Sequence, residues 1–187
     1  MTTQENISIA IEKIISDFKE YPDKYLTEDD VRCFLFNELM KIDEFSLPIH
    51  TSDNSKSITV HSEVRWYGNS GKLKWRSDIV IVDVSTLRVK NDIFKLPSKG
   101  FGFNRPKVII EIKLRRINGE SDNGFINQIR KDLDKVSKIK QEISGNFISC
   151  LLVLDKKRDL KDGIDHLGQS GIEIFYQFAS SSLQLQS

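Results

Sequence analysis

The chain has 187 residues, of which 39% are hydrophobic and 29% charged, with 10 Gly, 4 Pro and 2 Cys. That length closes a hydrophobic core without a metal or disulfide, and the composition excludes a disordered chain or a fibrous repeat. The formal charge is only +1, which excludes a strongly basic tail, yet thirteen basic and five acidic residues fall between positions 61 and 116, a local net of +8 against −7 elsewhere. Such polarisation steers a polyanion towards one region, although an ordinary solvated face produces the same pattern. Cys33 and Cys150 have apolar neighbours, as buried free thiols do in a reducing compartment. The first residues show no basic segment leading into an apolar one, and no apolar run approaches the roughly 18 residues of a spanning helix. The expected location is the cytoplasm.

Ile7, Ile11, Ile14, Ile15 and Phe18 recur at helical spacing, and Tyr21-Pro22 ends that helix. Thr27, followed three residues later by Asp30, has the form of a capping box and opens a second helix bearing Val31, Phe34, Leu35 and Leu39. After a polar turn over 52–57, Ile58, Val60, Val64 and Trp66 alternate with His61, Glu63, Arg65 and Tyr67, as on a half-buried strand. Gly68-Asn69-Ser70-Gly71 turns the chain into an antiparallel return from Lys72 to Val82. An irregular basic stretch from Ser85 to Pro106 precedes the apolar strand Val108–Leu114. Phe125, Ile129, Leu133, Val136 and Ile139 then mark the buried stripe of a helix from about 124 to 143. A near-continuous apolar strand over 147–154, a short helix within 159–167 and a last strand over 172–176 complete the series, with a frayed tail from Ala179 to Ser187. No internal repeat or linker divides the chain, so residues 1–187 are expected to form one α/β domain. Its order is α-α-β-β-β-α-β-(α)-β, with a mixed central sheet flanked by helices.

The segment Ile110-Glu111-Ile112-Lys113 places two charges on one face of an apolar strand, with Cα atoms roughly 6.5 Å apart. Buried charge is costly unless paired or bound; a sheet-edge ion pair or a strand end emerging into solvent accounts for the same residues more simply. Asp78, within Trp75-Arg76-Ser77-Asp78-Ile79-Val80, is a second carboxylate in an apolar strand. If the two strands are neighbours, Asp78 and Glu111 meet at one end of the sheet. Hard divalent cations take such oxygen ligands, and the carbonyl of Ile112 would add another. Lys113 would then stand beside the cation, placed to hold a water or stabilise phosphate charge.

Asp78 followed by Glu111-Ile112-Lys113 resembles the PD-(D/E)XK nuclease superfamily, with the likeness covering residues 27–154. The resemblance implies a restriction-endonuclease-like fold and metal-dependent hydrolysis of DNA, with Mg²⁺ as the cation and Mn²⁺ as a substitute. It also implies a glutamate from the helix before the sheet, for which Glu28 is the first candidate and Glu63 the alternative. Glu28 is equally explained as a helix-start carboxylate. Ser77 stands where the family usually has proline, and the 33-residue gap from Asp78 to Glu111 is long. Gln128, on the helix after the third strand, is expected to orient Lys113 or a bound water.

Candidate phosphate contacts are His61, Arg65, Arg76, Lys99, Arg105, Lys131 and Lys135, with Phe94, Phe101 and Phe103 interleaved in the basic loop. Each has a plainer reading as a solvated or core residue. His50 and His166 lack partners at zinc-ligand spacing, and no Gly-rich stretch ends in Gly-Lys-Ser/Thr, so neither zinc nor ATP is expected. DNA is the expected partner and a homodimer the expected assembly. Two other readings remain open. One is a catalytically inactive nucleic-acid-binding or assembly module of the same fold; the other is a structural protein in which Glu111 and Lys113 form a salt bridge.

Overall fold

The computed structural model describes residues 1–68, 70–88, 105–143, 146–168 and 171–179. Lys99, the rest of the basic stretch from Lys90 to Phe103, and the tail after Ala179 lie outside the described residues.

Helix α1 (Thr3–Glu20) starts at a capping box in which Thr2 accepts from the Glu5 amide and the Glu5 side chain accepts from Thr2. Helix α2 (Glu28–Met40) starts in the same way at Thr27, with Asp30 as the reciprocal acceptor, as the spacing predicts. Val31, Leu35 and Leu39 form its buried stripe. Cys33 falls on the opposite side and is exposed, contrary to its apolar sequence context, whereas Cys150 is buried. A single-turn helix α3 (Asp43–Ser46) follows. Strands β1 (Ile49–His50) and β2 (Lys56–Ser57) then form a short hairpin around the segment read as a simple polar turn.

The main sheet contains β3 (Val60–Tyr67), β4 (Leu73–Val82), β5 (Pro106–Arg115), β6 (Ile148–Asp155) and β7 (Glu173–Phe178), in that spatial order. The first three are antiparallel, and β5, β6 and β7 are parallel, so the sheet is mixed. Helix α4 (Asp122–Ile143) supplies the crossover from β5 to β6, and α5 (Lys161–Asp165) lies within the crossover to β7. In the turn into α4, a Cβ on Gly119 would lie 2.9 Å from the Arg116 carbonyl oxygen, so a side chain there forces the backbone to move.

Each sheet face carries a core. Ile79, Ile81, Val108, Ile110, Ile112 and Leu114 pack with α1 and α2. On the other face Val80, Val82, Ile109, Leu151 and Val153 meet the stripe Phe125, Ile129, Leu133, Val136 and Ile139 of α4. The alternation expected for β3 does not persist. Val60 belongs to the first core but Val64 and Trp66, of the same parity, belong to the second. Between them Glu63 adopts φ 54°, a left-handed conformation that interrupts the two-residue alternation.

The ends of β5, β6 and α4 are tied by a buried ion pair. Arg115 and Asp155 are both 0% exposed, and the guanidinium donates twice to the carboxylate, at 3.0 and 2.6 Å. A third bond, at 2.6 Å, reaches Asp122 at the first turn of α4. The bidentate geometry satisfies both ions, as burial of such a pair requires.

Candidate active site

The pairing of β4 with β5 runs from Val82 and Pro106 as far as Ile79 and Ile110. One residue further, Asp78 and Glu111 occupy the fork between the strands. There the Ile112 amide donates to Asp78 Oδ2 at 2.8 Å, so a side-chain carboxylate takes the place of a ladder acceptor. The N–H and C=O of one strand residue point to the same edge. The Ile112 carbonyl therefore faces the edge on which Asp78 lies. Ser77, standing where the resembled family usually has proline, is buried and its hydroxyl accepts from the Trp66 indole at 3.0 Å. Proline there would remove that hydroxyl acceptor.

Glu111 is 1% exposed. Its Oε2 accepts from Lys135 Nζ at 2.7 Å, while its Oε1 has no hydrogen-bond donor among the described residues. Burial pushes the carboxyl up, Lys135 counteracts, and the Asp78 charge adds to the rise, bringing it to about 8. Lys113, from the same strand face, lies 3.0 Å from Asp132 Oδ2 and 3.4 Å from Glu28 Oε1. Burial would lower its pKa, but Asp132 and Glu28 outweigh it and hold the ammonium above its ordinary value. Lys113 is thus a standing positive charge, suited to donating hydrogen bonds and not to accepting a proton.

Glu28 gains its position from the helix start. The first turn of α2 approaches the end of β5, where Glu28 Oε1 also accepts from the Leu114 amide at 3.4 Å. A cleft of about 390 Å³ opens beside it, lined in part by Leu26, Thr27, Leu114 and Arg116. Glu63, the alternative, is held by Arg32 and, at 2.8 Å, by Arg76. Arg32 also contacts Asp29 and lies 3.2 Å from Asp78 Oδ1, so it ties the helix to the fork.

The other expected residues disperse. Gln128 donates to Glu120 at 2.9 Å, so the partner that holds Lys113 on α4 is Asp132. Lys135, expected at phosphate, is instead 19% exposed and engaged with Glu111 and Asp132. Lys131 is exposed on α4. His61 is half-buried, with Nε2 3.0 Å from the Ile58 carbonyl and its pKa lowered by burial. Arg65 and Arg76 are exposed cross-strand partners. Arg105 is exposed where β5 begins, the end away from the fork.

Sequence reasoning passed over Arg32, Asp132 and the inward role of Lys135. Arg32 is one helical turn beyond Glu28, and Asp132 borders the Ile129–Leu133–Val136 stripe, so helical geometry offered a signal for both.

Among the described residues no group of three or more His, Cys, Asp or Glu forms a metal cluster. The donor chemistry nevertheless fits a hard divalent cation: two neighbouring carboxylates, one with a buried oxygen that has no donor among the described residues, and a carbonyl on the same edge. Also among the described residues, no helix is long and apolar enough to cross a membrane. Comparison of the chain with family models, with curated proteins and with solved structures finds no match.

Proposed function

We propose that the chain is a divalent-cation-dependent DNA endonuclease with a restriction-endonuclease-like arrangement of the PD-(D/E)XK kind. The observation that carries this reading is the meeting of Asp78, Glu111 and Lys113 at one strand fork, with a buried Glu111 oxygen that has no donor among the described residues. Asp78, Glu111 and the Ile112 carbonyl would hold Mg²⁺ or Mn²⁺. Such an ion supplies Lewis-acid stabilisation of phosphate charge and a more acidic water.

The remaining chemistry belongs to the chain. Lys113, kept charged by Asp132 and Glu28, donates to a phosphate oxygen or to the attacking water as negative charge develops. Glu28 restrains the Lys113 ammonium from the cleft side. Arg65 and Arg76 lie opposite each other on β3 and β4, both exposed, with Arg76 also paired to Glu63, so the two guanidinium groups present a positive face to an anionic backbone. Arg76 is two residues from Asp78, roughly 6.5 Å along the strand, which places phosphate contacts near the fork. Cleavage of both strands of a duplex is served by a two-fold homodimer.

One observation favours the inactive nucleic-acid-binding or assembly module: Lys135 on Glu111 and Arg32 on Asp78 give both carboxylates basic partners within the chain. Incubation of purified protein with linear and supercoiled DNA, in Mg²⁺, Mn²⁺ or a chelator, separates the two. Cation-dependent cleavage lost in Glu111→Ala supports the nuclease; DNA binding without cleavage in either cation supports the module.

A further inference from the structure

The two oxygens of Glu111 meet different surroundings. Oε2 accepts from the Lys135 ammonium at 2.7 Å, whereas Oε1, towards which no described donor points, is buried. Lys135 is no loose surface lysine. Asp132 Oδ1 lies 2.9 Å from its Nζ, and the other oxygen of Asp132 lies 3.0 Å from Lys113. A clamped positive charge thus occupies the Oε2 side, and a metal ion placed there would face an ammonium at contact distance.

The charges around the fork agree. Glu28, Asp29, Glu63, Asp78, Glu111 and Asp132 are joined through ion pairs to Arg32, Arg76, Lys113 and Lys135. The carboxylates joined at the fork outnumber the basic groups, six to four, so the fork favours an added cation, and the clamped Lys135 occupies the Oε2 side of Glu111. We infer that Lys135, clamped by Asp132, fills the position of a second divalent cation, so that the fork binds one ion on the Oε1 side of Glu111. The inference rests on the cation site proposed above and adds its stoichiometry and the residue that sets it. Lys135 is a positioning residue here: it acts through Glu111.

The test counts ions and does not depend on cleavage. Mn²⁺ bound per chain is measured at neutral pH from the electron paramagnetic resonance signal of the free ion, with Mg²⁺ calorimetry alongside. Wild type should bind one ion, Lys135→Gln two, and Lys135→Arg one, because the arginine restores the charge. Should Lys135→Gln lose its far-ultraviolet dichroism, Lys135→Met, which fills the volume without the charge, is counted in its place. Wild type binding none removes the cation site itself. Wild type binding two, or a charge-removing variant that still binds one, overturns the role given to Lys135 and leaves the cation site standing.

Discussion

Replacing Glu111 by Gln removes a buried ionisation while keeping the shape of the side chain. The carboxyl is raised from 4.5 to about 8, burial being the main cause. Between those values the folded chain keeps a proton that the unfolded chain has released. The unfolded state then binds fewer protons, so stability falls as pH rises. The slope attributable to this group is at most about 1.4 kcal/mol per pH unit, or about 3 kcal/mol between pH 5 and 7. Urea denaturation of wild type and Glu111→Gln in chelator, at one-unit steps from pH 5 to 8, measures it. The variant should gain on wild type steadily with pH. Groups such as His61, whose lowered pKa favours the folded state as pH rises, act in both proteins and cancel in the difference. Saturating Mg²⁺ should shrink the gap, because a cation beside the carboxylate favours its ionised form. Equal pH slopes for the two proteins in chelator would refute the argument, since Glu111 would then ionise as freely folded as unfolded.

Asp78→Ala and Glu111→Ala should each lower single-turnover cleavage by about 10²-fold or more with circular dichroism unchanged; wild-type rates in both would place the chemistry elsewhere. Lys113→Ala should lower the same rate by about 10²-fold while DNA affinity changes little, because its contact strengthens as charge develops; an equal loss in affinity would make it a binding residue. Neutralising Arg65 and Arg76 together should flatten the slope of log affinity against log salt by about 0.9 for each phosphate the two arginines engage, and an unchanged slope would remove them from the interface. Arg115→Ala should cost about 3–5 kcal/mol in urea denaturation by stranding buried Asp155, whereas exposed Arg116→Ala should stay within about 0.5 kcal/mol.

The helices were legible because local rules make them. The reciprocal bonds of Thr27 and Asp30 span three residues, and the α4 stripe repeats with the helical period wherever a side chain must leave water. The same holds for the odd placement of Asp78 and Glu111 in apolar strands. Burial selects against charge, so a charge retained in such a strand stands out in the letters alone. The β3 alternation failed as a guide because both β3 and β4 change face near Glu63: Val60 and Ile79 belong to the first core, whereas Val64, Trp66 and Trp75 pack with the second, and only the three-dimensional packing shows this.

The amino-acid order by itself determined the helical segments, the apolar strands and the two anomalous carboxylates. Only the tertiary structure decided which charges meet. Lys135 reaches Glu111 across 24 residues, Arg115 reaches Asp155 across 40 and Arg32 reaches Asp78 across 46. An isolated lysine or arginine in a sequence reads as a solvated side chain, because water is its default partner. It becomes an inward-facing counter-ion only when packing of α2 and α4 against the sheet brings a carboxylate from a distant strand within hydrogen-bond range and excludes the water that would otherwise separate them.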